Sequence, residues 1–237
     1  MTEIIKLSRT TVEKYLSCQR CCVLEKKYQI RPPSLPFTLN IAVDNLCKNE
    51  FDYYRRIQEP HPLFIQHGID AVPFKHKNLE SWRSNFNGIR YKSIEHHYDF
   101  GGAVDDVWQK KNGDLIIVDV KATSRNNFDW SETFSKYEYA KAYKRQLEMY
   151  QWLFKKNGFK VAQEAYLLYF NGKKNEEFFN NQLNFEVHLI RLDCSTAWVE
   201  PKIIDTVNLL RSDFFPKPSL NCEYCNYLKK RWQLSIT

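Results

Sequence analysis

"GGAVDDVWQKKNGDLIIVDVKAT", residues 101–123, has the form of a β-hairpin: two β-rich runs joined at Asn112-Gly113, a strong turn dipeptide. Side chains alternate across a strand, so Leu115, Ile117, Asp119 and Lys121 share one face while Ile116, Val118, Val120 and Ala122 share the other. The second face is wholly apolar and predicts burial. The first ends in a carboxylate beside an ammonium, which is costly unless the two are paired, hydrated or bound to something.

The preceding run adds Asp105 and Asp106, which point to opposite faces. A two-residue turn at Asn112-Gly113 sets Asp106 opposite Asp119; a three-residue loop with a glycine bulge brings Asp105 to the Asp119/Lys121 face instead. The pattern leaves both open. In either register two carboxylates and a lysine converge, a donor set suited to Mg²⁺ or Mn²⁺, with the lysine able to orient a water or steady a pentavalent phosphate. A structural Asp–Lys ion pair is the simpler alternative.

Outward from the hairpin, the sequence predicts a short helix from Leu7, capped by Ser8 or Thr10 with Glu13 completing a capping box, and a break at Pro32, Pro33 and Pro36. A second helix is expected through "TLNIAVDNLCKNEFDYYRRI", then irregular chain over 59–76 and one or two helical turns at "LESWRSNF". Strands are expected from about Tyr91, with His96 and His97 on a strand and facing opposite ways. A long helix follows from about Tyr137 to Lys156, ended by Asn157-Gly158. Two strands, "VAQEAYLLYF" and "FEVHLIRL", flank the turn "NGKKN"; "AWVEPKIIDTVNLLRS" reads as the last helix and the tail as irregular. The expected class is α/β, a mixed central sheet flanked by helices, in one domain spanning 1–237.

Lys and Arg exceed Asp and Glu by 35 to 28, a net charge of +7, the sign expected of a protein that meets a polyanion. No run of 18 apolar residues and no signal-peptide pattern occurs, so a cytoplasmic protein without a membrane partner is expected. Seven cysteines in such a chain argue for metal ligation or burial rather than disulfides. Cys18 and Cys21 form one C-x-x-C, Cys222 and Cys225 another; together they supply the four thiolates that Zn²⁺ or a cluster requires, and would join segments 7–30 and 215–237. Cys47 and Cys194 read as buried small residues.

The series Gly102-x-x-Asp105, Asp119-x-Lys121 and Gln146-x-x-x-Tyr150 resembles the motifs of the RecB-type branch of the PD-(D/E)XK nucleases, in order and spacing. The resemblance implies a restriction-endonuclease-like core and metal-dependent hydrolysis of DNA, with RNA also open as substrate. It favours Asp105 over Asp106, and hence the bulged loop. It implies that Asp105, Asp119 and the Val120 carbonyl bind Mg²⁺ or Mn²⁺, that Lys121 positions the attacking water, and that Gln146 and Tyr150 orient the lysine or the DNA. Where the family carries an upstream Gly-x-x-x-His, this chain has Asn40 and Asp44, with Glu50 a second choice for the acid. Relatives such as AddB and the CRISPR-adaptation nucleases join their termini by a [4Fe-4S] cluster on one N-terminal and three C-terminal cysteines, and "LSRTTVEKYLSCQRC" looks like their opening segment. No cysteine follows Cys225 here, so the fourth ligand would be Cys21 or Cys22. The alternatives are a DNA-binding module that has lost its cutting ability and an interaction protein with structural zinc.

Overall fold

A computed structural model describes residues 3–35 and 38–234, and in it the hairpin of the opening stretch is the centre of the larger sheet. The chain begins with β1 (Ile5–Ser8), α1 (Arg9–Ser17) and α2 (Gln19–Tyr28), followed by α3 (Thr38–Ile57), α4 (Pro62–Gln66), β2 (Ala71–Pro73) and α5 (Leu79–Arg83). Next come β3 (Ile89–Ser93), β4 (Tyr98–Gly102) and the hairpin strands β5 (Asp106–Lys110) and β6 (Leu115–Thr123). Helices α6 (Trp130–Lys136) and α7 (Glu138–Lys156), strands β7 (Glu164–Gly172) and β8 (Phe185–Asp193), and helices α8 (Val199–Arg211) and α9 (Glu223–Leu234) complete it. None of the described helices is long and apolar enough to cross a membrane.

The described residues form two compact bodies, one comprising residues 38–91 and 102–196, the other 3–35, 92–101 and 197–234. The larger holds a mixed sheet ordered β2-β5-β6-β7-β8, in which only β6 and β7 run parallel. A parallel pair needs a crossover, and α6 and α7 supply it. The apolar face of β6 (Ile116, Val118) joins Cys47 and Phe51 of α3, Phe64 of α4 and Trp108 of β5 in one core. Trp108 is fully buried, its ring stacked 5.5 Å from that of Phe51. Helix α7 packs on β6 as well, with Leu147, Met149, Leu153 and Phe154 fully buried.

Hairpin register turns on three residues. Asp106 pairs with Val118 and Gln109 with Leu115, while Lys110 N–H bonds the Asp114 carbonyl, leaving Lys111, Asn112 and Gly113 as the loop. Gly113, at φ +87°, takes the left-handed position that a glycine bulge needs. Gly88 is more constrained, since at φ +64° an added Cβ would lie 2.5 Å from the Gly102 carbonyl oxygen, against open space at Gly113. Gly88→Ala is therefore expected to destabilise by about 2 kcal/mol or more, and Gly113→Ala by about 1 kcal/mol; equal shifts in denaturant midpoint would contradict this reading.

The smaller body gathers both ends of the chain. Strand β1 runs parallel to β4 from Ile5 opposite Tyr98 to Ser8 opposite Gly101, in a sheet ordered β1-β4-β3. Ser8 caps α1 as expected, but the residue closing the capping box is Thr11, not Glu13, because Ser8 at the cap puts Thr11 at the third helical position. Helices α1 and α2 both pack on α8.

Several expected irregular stretches are ordered. Within 59–76, His61 caps α4 by accepting from Leu63 N–H, Pro62 fits the first helical position, and residues 71–73 form β2. Helix α6, over a stretch for which no element was expected, is capped by Asp129, which accepts from Glu132 N–H. The tail, expected to be irregular, forms α9, whose only buried residue is Cys225. His96 and His97 lie in the turn between β3 and β4, His97 at φ +53°, rather than on a strand. The β7–β8 connection spans 173–184, longer than the turn expected. Pro36 lies outside the described residues.

Candidate active site and four-cysteine cluster

Asp119 is completely buried, and its two oxygens have different partners. Oδ1 accepts from Gln146 Nε2 at 2.7 Å, and Oδ2 forms an ion pair with Lys121. Gln146 Nε2 also reaches the Tyr150 hydroxyl at 3.1 Å, a contact that the i, i+4 spacing on α7 brings about. The three-residue loop puts Asp105 beside this group, where its Oδ2 accepts from Val120 N–H at 2.8 Å. Lys121 Nζ lies 3.4 Å from the Val120 carbonyl oxygen.

Helix α3 brings Asp44 and Lys48, one turn apart. Lys48 Nζ is 2.6 Å from Asp44 Oδ2 and 3.9 Å from Asp105 Oδ1, tying the three into one cluster. Asn40, at the family's glycine position, donates to the Ala122 carbonyl at 3.3 Å. Glu50 is directed elsewhere, to His61 Nε2 at 3.0 Å.

Electrostatics here favour a cation. Burial, then the nearby Asp105 carboxylate, raises Asp44 above the ordinary carboxylate range. Burial likewise pushes Asp119 up against the opposing pull of Lys121. For Lys121, burial acts to lower the value, but Asp119 and Asp105 outweigh it and the ammonium is held above its usual range. Asp44 Oδ1 is buried with no hydrogen-bond partner among the described residues, and Asp119 Oδ2 has only its ion pair. Unsatisfied buried carboxylate oxygens are costly, and oxygen is the donor type that a hard divalent cation takes, although among the described residues the four cysteines, and not these acids, gather their ligand atoms into one close group.

Asp106 points the other way. Its Oδ1 pairs with Arg55 and, at 2.8 Å, with Arg83; its Oδ2 accepts from Trp108 Nε1 at 3.1 Å. Asp52 bridges the same two arginines, so this second carboxylate belongs to a buried structural network.

Three neighbours were not singled out from sequence: Lys48, Tyr143 and Tyr139. Lys121 Nζ lies 4.8 Å from the centre of the Tyr143 ring, and the Tyr139 ring lies tilted against that of Tyr143, 5.6 Å away, while its hydroxyl accepts from Arg125 at 2.6 Å. The signal for the two tyrosines was the helical stripe Tyr139, Tyr143, Gln146, Tyr150, of which only the last two members carry a family motif; that for Lys48 was its place one turn after Asp44 on α3.

In the smaller body the two C-x-x-C pairs meet. Cys18 Sγ lies 3.9 Å from Cys225 Sγ, and Cys21 Sγ lies 3.5 Å from both Cys222 and Cys225. All four sulfurs fall within 4.8 Å of one another. Each pair begins just before a helix and ends in its first turn: Cys18 precedes α2, which holds Cys21, and Cys222 precedes α9, which holds Cys225. The positive helix ends thus face the sulfurs. Burial works to raise Cys18, but hydrogen bonds from the Ser219 and Cys21 backbone and the neighbouring thiols lower it to about 7. Cys22 turns away to the Thr11 carbonyl at 3.7 Å, and Cys47 and Cys194 are buried singly.

Residues 39–229, most of the chain, match the profile of the family described as the PD-(D/E)XK nuclease superfamily. No curated protein matches. Among solved structures, SSO0001 is 19% identical, with a TM-score of 0.41 over 97% of this chain and 86% of that one. A protein from Eubacterium rectale described as a "Putative exonuclease" is 12% identical, with a TM-score of 0.45 over 93% of this chain and 86% of that one.

Proposed function

Because the chain belongs to the PD-(D/E)XK nuclease superfamily, we propose that it is a metal-dependent nuclease of the RecB type that hydrolyses phosphodiester bonds of DNA in the cytoplasm. The observation that carries this reading is the convergence on Asp119 of Asp105, Lys121 and the Gln146–Tyr150 pair. Asp105, Asp119, Asp44 and the Val120 carbonyl would hold Mg²⁺ or Mn²⁺. When bound, such an ion lowers the pKa of a coordinated water and offsets the charge that develops on the phosphate.

The chain's own groups divide the remaining work. Gln146 holds Asp119 Oδ1, leaving Oδ2 to Lys121, and Tyr150 fixes the Gln146 amide. Lys121, cationic and partly exposed, orients a water or a phosphate oxygen at the mouth of the site. Lys48 neutralises Asp44 in the metal-free protein and is the group an arriving cation must displace.

Labelled single- and double-stranded DNA incubated with Mg²⁺, Mn²⁺ or EDTA tests the proposal. Cleavage is expected with either ion and not with EDTA. Mn²⁺ should also raise the melting temperature, and more so at higher pH: Asp44 and Asp119 titrate above their unfolded values, so their ionisation costs stability that is absent below the unfolded values, grows as pH rises from there, is complete above the folded values, and is relieved by the cation. DNA binding without turnover in metal-replete protein would overturn the nuclease reading in favour of a lapsed one.

A further inference from the structure

The [4Fe-4S] cluster that the resemblance implies does not fit the four cysteines, and we propose that they bind a single zinc ion instead. The two centres differ in how far apart they hold their sulfurs. Four thiolates on one Zn²⁺, with bonds of about 2.3 Å, form a tetrahedron with edges of about 3.8 Å. A cubane with irons about 2.7 Å apart, each carrying its thiolate at about 2.3 Å, spreads the same sulfurs to about 6.4 Å. The distances here are 3.5, 3.5 and 3.9 Å, and no separation exceeds 4.8 Å. A cluster's inorganic core has no room inside such a group.

Other observations agree. The ligands divide two and two, each pair at the start of a helix, whereas the family's cluster takes one cysteine from the N-terminal segment and three from the C-terminal one. Cys22, the spare sulfur that could alter that count, bonds to Thr11 and lies outside the group. The sulfurs are also too far apart for disulfides, which need about 2.05 Å. Zinc closes the set as a redox-inert tie between the two ends of the chain, joining α2 to α9 within the smaller body.

The test does not depend on nuclease activity. Full-length protein is purified both anaerobically and in air from cells supplied with iron and zinc, then assayed for metals, acid-labile sulfide and visible absorbance. One zinc per chain, no sulfide and a colourless protein are expected from both preparations. Protein from cobalt-supplemented cells should show the visible bands of tetrahedral cobalt–thiolate, and Cys222→Ser/Cys225→Ser should lose them and the zinc. Recovery of about four irons with sulfide, of one iron without sulfide, of Cys21–Cys222 disulfide by alkylation mapping, or of no metal would each overturn the assignment.

Discussion

Asp105→Asn should abolish cleavage while leaving the fold intact, and Asp106→Ala should do the reverse, although the two residues are adjacent. Asparagine can still accept the Val120 N–H bond made by Asp105 Oδ2, so the local backbone survives. It brings no negative charge to the cluster, so relief of Asp44 is set against lost attraction to Lys121 and Lys48, and the metal-free protein should be little changed in stability. Cleavage should fall by at least about 100-fold, since a neutral amide is a poor ligand for a hard cation. Asp106→Ala instead removes the carboxylate between Arg55 and Arg83 and the acceptor of Trp108 Nε1. Leaving buried guanidinium groups short of a partner costs roughly 3–5 kcal/mol. Paired denaturation curves and cleavage rates separate the two cases, and a stable, inactive Asp106→Ala protein would show that the register has been misjudged.

Lys121→Ala should likewise remove at least about 100-fold of the metal-dependent rate, because no other described ammonium pairs with Asp119. Its stability cost should depend on pH. Without the lysine, buried Asp119 titrates still higher; its penalty is complete above that folded value and fades as pH falls towards the unfolded value of about 3.9. Gln146 continues to bond the carboxyl group, so the far-ultraviolet spectrum should be native at both pH 5 and pH 8, with the drop in melting temperature confined to pH 8. A variant that cuts DNA at the wild-type rate would remove Lys121 from the mechanism.

What the sequence determined by itself was whatever depends on neighbours along the chain. Helix α3 was legible in its 3.6-residue pattern, α7 in its pattern and its Asn157-Gly158 end, and the hairpin in alternation around a turn dipeptide. The candidate residues were legible because their spacings set them on shared faces: Asp119 with Lys121 on a strand, Gln146 with Tyr150 on a helix. The expectation for α9 was irregular chain, although Tyr224, Tyr227, Leu228 and Trp232 recur at helical spacing, a stripe that the fold leaves exposed while only Cys225 is buried.

Only the tertiary structure decided matters of register and distance. Which of two adjacent aspartates faces Asp119 depended on one residue in a loop, since a shift of one position turns every side chain to the other face. That Asp44 reaches the site through Lys48, and that Glu50 does not, follows from how α3 packs on β6. The meeting of Cys18 and Cys21 with Cys222 and Cys225, about 200 positions away in the sequence, required the two ends of the chain to fold into one body. The spacing of those sulfurs, on which the proposed zinc assignment rests, is a property of that packing and is written in neither motif.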